Sequence, residues 1–557
     1  MTKWDFSLTD SLTKILPDSR PRRLATETLY GFAGETLSFQ LAYFCENSDF
    51  GESDSRFTVQ VEFDLPNAVQ MRKVQLVPCA YPCHGTWDEN YLVTKPGLYP
   101  DLLTPFEPGQ PIKAIPAQWR GLWIDVQVGQ ISAAGLHELL ITANAMDGIE
   151  LARFRLAVRI FPVKLPPQRL IHTEWFHADC LADYYHVPVF SEAHWRIIEN
   201  FMKSAARHGV NMILTPIFTP PLDTAKGGER TTVQLVKVKK EGEKYFFDFS
   251  DLARWIALSE RAGIRYLEMA HLFTQWGATA APKIMGSVDG GPEEMLFGWH
   301  TPAVGSEYTR FLHSFLPALK AFLSEQGWLE RTWFHISDEP HDCEINTFAH
   351  AKESVRELLE GCKVMDALSS HAIYKQGLVE RPVVSVDHIA PFLKERVPHL
   401  WAYYCTVQAV DVPNRFIAMS SPRNRIIGIL LYYFGIEGFL HWGFNFYNSQ
   451  RSVEHVDPYH ITDAGEAFPS GDPFLVYPGP DGTAYDSIRG MVLRQALSDF
   501  RCLQLLEERQ GAEKAQELVR MLTGAGFSFQ NYPQSVEFFS EFRSKVFQAL
   551  GLLPIEE

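Results

Sequence analysis

The chain has 557 residues, of which 46% are hydrophobic and 21% charged, and its formal net charge is −16. Domains usually have about 100–200 residues, so we expect two or more of them. An aromatic content of 13%, with glycine and proline spread without a period, excludes a disordered, collagen-like or low-complexity chain. Because lysine and arginine form no block, neither nucleic acid nor an anionic membrane is expected as a partner.

The first residues lack the apolar run of a secretory signal, and no segment reaches the roughly 18–20 apolar residues of a membrane span. Eight cysteines are too few for a disulfide scaffold. Cys79 and Cys83 form an isolated pair without a second pair at zinc spacing. We therefore expect a cytoplasmic protein with reduced thiols.

The first 165 residues alternate short extended segments with turn residues. Runs rich in Val, Leu, Phe and Thr predict strands at 26–32, 35–44, 56–63, 74–78, 121–128, 135–143 and 151–161. This spacing, without helical periodicity, predicts an antiparallel β-sandwich domain over residues 1–165. Residues 96–116 contain six prolines and are predicted to form a rigid loop rather than a strand.

From residue 166 the pattern changes to strands that alternate with helices. Strands are predicted at 171–176, 210–216, 264–270, 331–337, 362–368, 383–389, 399–405 and 438–444. Helices are predicted at 192–208 after the N-cap Ser191, at 251–262 before Gly263, and at 306–326, 344–360 and 423–433, with short crossovers after the fifth and sixth strands. Eight such units predict an α/β chain with a (β/α)8 TIM barrel over residues 166–510, since the glycine-rich first turn of a doubly wound sheet is missing. A long helix at 487–510 is followed by C-terminal helices at 511–557, which we expect to pack on the barrel.

The carboxyl ends of the barrel strands are where barrel enzymes place their reacting groups. The fourth predicted strand ends in Ile-Ser-Asp-Glu-Pro (336–340), so Asp338 and Glu339 are adjacent carboxylates behind an apolar run. Crowding of two carboxylates raises one pKa and provides an acid beside a base. The alternative is a loop acid followed by a helix-capping acid, but the position at a barrel strand end favours catalysis.

The other strand ends carry acids, amides and aromatic rings with few basic residues, which is typical of a sugar site rather than a phosphate site. His271 is either a structural histidine or a substrate contact. His177, Asp179 and His186 lack zinc-like spacing, so neither a metal nor a cofactor is expected. Asp366 and Asp387 are interpreted as hydrogen-bond anchors for loops.

Several segments together resemble the DUF4091-type proteins that include glycoside hydrolase family 123, the retaining β-N-acetylgalactosaminidases. They are residues 99–103, 118–126, 208–212, 268–277, 336–340, 401–404, 423–425, 438–442 and 471–482. The resemblance covers nearly the whole chain and implies a β-sandwich followed by a (β/α)8 barrel. It also implies an exo-glycosidase that acts on oligosaccharides or glycoconjugates, removing terminal β-linked N-acetylgalactosamine or a related N-acetylhexosamine.

The mechanism implied by the resemblance is substrate-assisted: the 2-acetamido oxygen of the sugar attacks its own anomeric carbon and forms an oxazoline-type intermediate. Asp338 would orient the acetamido N–H, and Glu339 would act first as general acid and then as general base. The resemblance further suggests a set of substrate contacts: Tyr403 or Tyr404 for the acetamido oxygen, Trp401 and Trp442 as sugar platforms, His271, Asn211 and Asn445 for hydroxyls, and Trp276.

Two alternatives stay open at this point. A glycosidase for an unmodified hexose would need a third carboxylate, such as Glu268 or Asp366, as nucleophile. A non-catalytic carbohydrate-binding protein would be expected to have lost one member of the acid pair. The sandwich could serve either as a fixed support or as the surface of a homodimer.

Overall fold

The computed structural model describes residues 3–46, 55–129, 131–340 and 344–554. The chain divides into two compact units, each of them discontinuous in sequence. The first unit comprises Met1–Gln168, Arg415–Tyr433 and Tyr485–Glu557, and the second comprises Arg169–Asn414 and Phe434–Ala484. The two units differ from the predicted domains, because residues 485–557 are grouped with the N-terminal strands. The predicted domain boundaries at 165/166 and 510/511 stay predictions.

Among the described residues of the first unit, ten strands form its β-sheets. They are β1 (Trp4–Asp10), β2 (Thr28–Ala33), β3 (Thr36–Cys45), β4 (Arg56–Phe63), β5 (Val69–Cys79), β6 (Gly97–Phe106), β7 (Ile112–Lys113), β8 (Arg120–Gln127), β9 (Gly135–Ala145) and β10 (Glu150–Lys164). Two five-stranded sheets result, with the orders β1-β3-β8-β5-β6 and β2-β10-β9-β4-β7. Both sheets contribute to one hydrophobic core, for example through Phe39 and Leu41 on one side and Val59 and Ile141 on the other.

Two predictions for this region are wrong. The sheets are not purely antiparallel, because β10 pairs with β2 in parallel. Within the predicted proline-rich loop, Gly97–Phe106 forms strand β6 and pairs antiparallel with β5. This strand lies at the edge of its sheet, where Pro100 and Pro105 can be accommodated although they lack an N–H.

The second unit contains a closed barrel of eight parallel strands. Its strands, with the hairpins between them, are β11 (Ile171–Glu174), β12 (Met212–Thr215), β13 (Lys237–Glu241), β14 (Lys244–Asp248), β15 (Tyr266–Met269), β16 (Ile284–Val288), β17 (Glu293–Phe297), β18 (Thr332–Phe334), β19 (Lys363–Ala367), β20 (Arg381–Ser385), β21 (Trp401–Tyr403) and β22 (Gly438–His441), followed by β23 (Tyr477–Pro478) and β24 (Ala484–Tyr485). The barrel order is β11-β12-β15-β18-β19-β20-β21-β22, and β22 closes the barrel on β11. Each of the eight predicted strands overlaps one of these, while β13, β14, β16 and β17 form a separate four-stranded sheet.

The barrel strands are short and buried, and alternate residues fill the interior. Trp401, at the amino end of the seventh barrel strand, packs 6.4 Å from Trp333 between ring centroids. Its ring also covers Gly438, where an added Cβ would lie 2.2 Å from the indole. A large ring therefore faces a residue without a side chain at this level of the barrel.

The helices of the second unit are α1 (Ala178–Tyr185), α2 (Glu192–Arg207), α3 (Ser250–Ala262), α4 (Ser306–Glu325), α5 (Ile345–Val355), α6 (His371–Lys375) and α7 (Ala390–Glu395). The predicted helix signals are confirmed: Ser191 accepts a hydrogen bond from the backbone N–H of His194, and Gly263 ends α3 with φ of 93°. The helices α6 and α7 are short, as predicted for the fifth and sixth crossovers.

The remaining helices belong to the first unit: α8 (Ser421–Arg425), α9 (Ile427–Tyr433), α10 (Ile488–Gln510), α11 (Ala512–Thr523) and α12 (Val536–Ala549). The predicted helix at 423–433 is divided into α8 and α9. Gly428 lets α9 approach α10 closely, because an added Cβ would lie 1.8 Å from the carbonyl oxygen of Ala496. Across the described ranges, none of the helices combines the length and apolar character needed to cross a bilayer.

Candidate active site

The acid pair follows the fourth barrel strand. β18 ends at Phe334, and Asp338 and Glu339 lie four and five residues beyond it. Asp338 is buried, with 5% of its surface exposed, whereas Glu339 is half-buried. Glu339 has φ of 44°, in the left-handed region that residues with a side chain seldom adopt. Strain of this kind is concentrated at functional sites.

Asp366, from the end of the fifth barrel strand, holds the main chain in front of the acid pair. Its Oδ1 accepts hydrogen bonds from the backbone N–H groups of Ile336 (2.9 Å) and Ser337 (3.2 Å). The Ser337 hydroxyl donates to the carbonyl of Thr274 at 2.9 Å. The carboxylate thus satisfies N–H groups beyond the end of the β-ladder, and its predicted role as a loop anchor is confirmed.

Asp338 is contacted by the loop after the third barrel strand. Gln275 Nε2 donates to its Oδ2 at 2.6 Å, and the N–H of Trp276 donates to its carbonyl oxygen at 3.1 Å. Burial and then the neighbouring carboxylate of Glu339 raise the pKa of Asp338 from 3.8 to about 8. The pair therefore carries a proton near neutral pH, and burial contributes more to this than the crowding of the two carboxylates.

Glu339 is contacted by the seventh barrel strand. The hydroxyl of Tyr403 donates to its Oε1 at 2.6 Å, and that hydroxyl also lies 3.1 Å from Ser369 Oγ. Burial and then the charge of Glu339 raise the pKa of Tyr403 well above its usual value of 10. The phenol therefore stays protonated and acts as a hydrogen-bond donor to the acid.

A buried polar layer includes Glu268, in β15, and His335, which directly follows β18. Glu268 accepts hydrogen bonds from the Thr173 hydroxyl, from Trp175 Nε1 at 2.8 Å and from His335 Nε2 at 2.7 Å. His335 Nδ1 lies 3.5 Å from Asp366. Burial opposes the charged imidazole, but these two carboxylates outweigh it and raise the pKa of His335 to about 10.

His271 stacks on His335 with ring centroids 4.2 Å apart. Burial and then the charge of His335 lower its pKa well below the usual 6.5, so the ring is neutral. Within the described ranges, neither of its ring nitrogens has a hydrogen-bond partner, although the residue is only 1% exposed. A buried polar group of this kind favours a substrate contact over a purely structural histidine.

Other predicted contact residues lie in different surroundings. Trp276 is half-buried beside Asp338, and its φ of 54° is again left-handed. Trp442 is half-buried after the eighth barrel strand, where its Nε1 donates to Asp472 at 2.7 Å. Tyr404 packs against Phe439 and His441, so of the two predicted tyrosines it is Tyr403 that contacts the acid pair.

The structure does not support three of the predicted contacts. Trp401 is fully buried at the amino end of its strand, in the packing with Gly438 described above. Asn211 also precedes its strand, and its amide bonds the main chain of His172 and Leu170. Asn445 lies at the carboxyl end, but its amide bonds the N–H and carbonyl of His177, both at 2.9 Å. The contacts that the structure gives for these three residues are all to other parts of the protein.

The residues weighed for a metal are engaged otherwise. Asp179 makes a two-pronged ion pair with the buried Arg230, whose guanidinium also lies 3.0 Å from His177 Nδ1. His186 ends helix α1 with a left-handed backbone. Among the described residues, no group of three or more His, Cys, Asp or Glu side chains could hold a metal ion.

Three residues near the acid pair have no predicted role: Gln275, Ser369 and His335. Gln275 lies in the segment 268–277, and His335 lies in the predicted strand ahead of the acid pair. Ser369 follows the fifth predicted strand without any local signal. Only its position beside Tyr403 shows its connection to the site.

Comparison with known proteins provides independent evidence. The family model "Glycoside hydrolase 123, catalytic domain" matches residues 175–506. No curated protein matches the chain. A family 123 glycoside hydrolase from Clostridium perfringens, solved in a study of glycolipid glycan hydrolysis, has a TM-score of 0.73 and 15% sequence identity over 98% of this chain and 97% of that chain. This likeness shows a shared fold.

A β-glucuronidase from Parabacteroides merdae has a TM-score of 0.30 and 10% identity over 90% of this chain and 51% of that chain, which is too weak to carry an argument. The family model, by contrast, covers more than half of the chain and includes the acid pair. The chain therefore belongs to glycoside hydrolase family 123 and is a glycosidase.

Proposed function

We propose that this protein is a retaining exo-glycosidase that removes terminal β-linked N-acetylgalactosamine, or a related N-acetylhexosamine, with the sugar's own acetamido group as nucleophile. The observation that carries the proposal is the adjacent pair of Asp338 and Glu339, whose carboxyl groups have different surroundings. One is buried with a raised pKa, and the other is half-buried and hydrogen-bonded to Tyr403.

Asp338 is the partner of the acetamido N–H in this mechanism. As the acetamido oxygen attacks the anomeric carbon, positive charge develops on the nitrogen, and this charge favours the ionised form of Asp338. The proton shared by the pair then belongs to Glu339, where the general acid needs it. Gln275, which donates to Asp338 Oδ2, fixes the orientation of the carboxyl group.

Glu339 donates its proton to the glycosidic oxygen as the bond between that oxygen and the anomeric carbon breaks. In the second step its carboxylate takes a proton from water, while the water oxygen attacks the anomeric carbon and opens the oxazoline ring. Over the two steps Glu339 therefore gives up one proton and regains one. Tyr403 supports the carboxylate form by donating a hydrogen bond to Oε1.

The positions of the other carboxylates disfavour the alternative with an enzyme nucleophile. Glu268 is fully buried and already accepts three hydrogen bonds, and Asp366 accepts two backbone N–H groups. Neither is free to attack an anomeric carbon. A nucleophile supplied by the substrate requires no third carboxylate.

The substrate contacts that we propose are His271, with its unpartnered ring nitrogens, and the half-buried rings of Trp276 and Trp442. The predicted contact of Tyr403 with the acetamido oxygen would compete with the hydrogen bond that its single hydroxyl proton makes to Glu339, so we assign Tyr403 to Glu339. Oligosaccharides and glycoconjugates, including the glycolipid glycans named for the Clostridium perfringens structure, are the proposed substrate class. The cytoplasmic location and the homodimer stay predictions from the sequence.

Release of nitrophenol tests the proposal on four β-glycosides: those of N-acetylgalactosamine, N-acetylglucosamine, galactose and glucose. We expect cleavage of the acetamido sugars alone and inhibition by a thiazoline mimic of the oxazoline. Glu339→Gln should abolish turnover and Asp338→Asn should reduce it by about 10²–10⁴-fold. Glu325→Gln, which removes an exposed carboxylate at the end of α4, is the matched control.

Cleavage of a plain hexoside that the thiazoline does not inhibit would refute the neighbouring-group mechanism. Sugar binding by calorimetry, without product from any natural glycan, would identify a carbohydrate-binding protein instead.

A further inference from the structure

Glu339 is the inner end of a continuous chain of side-chain hydrogen bonds. Its Oε1 lies 2.6 Å from the hydroxyl of Tyr403, which lies 3.1 Å from Ser369 Oγ. Ser369 Oγ lies 3.1 Å from Ser385 Oγ, and Ser385 Oγ lies 3.2 Å from Nδ1 of His388. Each of these distances lies within the hydrogen-bonding range, although the outer three are long. The chain connects the seventh, fifth and sixth strand ends of the barrel.

The chain runs from the acid pair to an exposed histidine at the protein surface. Tyr403 is 4% exposed and Ser385 is fully buried, whereas the side chain of His388 is 58% exposed. Water therefore reaches the outer end of the chain freely. Tyr403 and Ser385 belong to the barrel strands β21 and β20, and Ser369 lies two residues beyond β19.

The polarity of the chain follows from its two ends. A carboxylate only accepts, so the Tyr403 hydroxyl donates to Glu339. Ser369 then donates to Tyr403, Ser385 donates to Ser369, and His388 Nδ1–H donates to Ser385. Every hydroxyl donates once and accepts once, which is the arrangement in which a proton can be passed along a chain.

We propose that Ser369, Ser385 and His388 form a path that transfers a proton from solvent, through Tyr403, to the carboxylate of Glu339. The proposal rests on the general-acid role of Glu339 in the proposed function. The imidazolium of His388 gives its Nδ1 proton to Ser385, whose proton moves to Ser369. The Ser369 proton moves to Tyr403, and the Tyr403 proton moves to Glu339. The neutral imidazole regains a proton from water or buffer. The charged neighbour of Nδ1 is Asp387, at 3.0 Å, whose carboxylate also accepts a hydrogen bond from Gln408 Nε2.

The path matters when substrate is bound. Hydrolysis returns to Glu339 the proton that it gives away, so turnover itself consumes none. A complex that forms with ionised Glu339 is unproductive, however, and the leaving group then covers the carboxylate from the side of the sugar. The path lets this complex gain its proton without releasing the substrate.

The test is the pH dependence of kcat on an acetamido glycoside, for wild type, Ser369→Ala, Ser369→Thr and His388→Ala. Ser369 is half-buried, and threonine keeps the hydroxyl at this position. We expect Ser369→Ala and His388→Ala to lose about an order of magnitude of kcat on the alkaline side only, and Ser369→Thr to follow the wild type. Added imidazole should restore His388→Ala but not Ser369→Ala. Ser385→Ala repeats the test at the next link.

Wild-type pH profiles for Ser369→Ala and His388→Ala would overturn the path, and so would a loss that is equal at every pH, which would indicate a structural role. Glu339→Gln is measured in the same assay. If that variant keeps full activity, the proposed function itself fails. If it is inactive while the path variants behave as wild type, only the path fails.

Discussion

Replacement of Asp338 by asparagine is predicted to stabilise the protein while it impairs catalysis. The carboxyl group has its pKa raised from 3.8 to about 8, first by burial and then by Glu339. Below about pH 4 it is protonated in both the folded and the unfolded chain and contributes nothing. Between about pH 4 and 8 the folded chain binds the extra proton, so the free energy of unfolding falls as pH rises, and above pH 8 the loss is complete.

The size of the effect follows from the same values. A change from 3.8 to about 8, at about 1.4 kcal/mol for each pKa unit, limits the loss to about 6 kcal/mol. Part of this belongs to the repulsion from Glu339 and part to burial, which an asparagine side chain also experiences. We therefore expect Asp338→Asn to gain about 1–3 kcal/mol at pH 8 relative to wild type and much less at pH 5.

Urea unfolding of both proteins at pH 5 and pH 8, followed by tryptophan fluorescence, measures this difference. The control is Glu325→Gln, which removes an exposed carboxylate and should leave the pH dependence unchanged. A variant that is less stable than wild type at both pH values, or whose difference does not change with pH, would refute the reasoning about the acid pair.

Three further predictions concern single positions. Asp366→Ala leaves two buried backbone N–H groups without their acceptor and removes a carboxylate from beside His335, so it should cost about 3–5 kcal/mol of unfolding free energy, together with most of kcat. Asp366→Asn, which keeps one acceptor oxygen, should cost less in a parallel melt and rate assay. Asn211→Ala should lower the melting temperature, by loss of about 1–3 kcal/mol, and leave KM unchanged; a raised KM would return this residue to the sugar site. Gly428→Ala should cost about 1–3 kcal/mol because the methyl group meets the Ala496 carbonyl, and an unchanged melting temperature would show that α9 and α10 separate easily.

The sequence was sufficient for the barrel strands because each is a short apolar run between glycine, proline or polar residues. The proline-rich strand β6 escaped detection since proline disfavours a strand only where its missing N–H is needed, and an edge position cannot be inferred from local sequence. The strand β1 (Trp4–Asp10) was also missed, because its alternation is short and begins at the chain end.

The acid pair could be predicted because both residues lie together at a strand end. Their partners could not, since Tyr403 and Gln275 are each more than 60 residues away and their bonds depend on the closure of the barrel. Trp401 and Asn211 lie at the amino ends of their strands, as the predicted bounds 399–405 and 210–216 already indicate. The rule that barrel enzymes react at the carboxyl ends therefore argues against both as sugar contacts.

Because Trp401 packs over Gly438, we expect substitutions at these two positions to occur together among relatives. Any side chain at position 438 must displace the indole, and a smaller ring at position 401 leaves a void that the glycine cannot fill. Relatives that replace the tryptophan should therefore carry a larger residue in the neighbouring strand. Recombining segments from two relatives between positions 401 and 438 would separate the matched residues, so crossovers are best placed outside this interval.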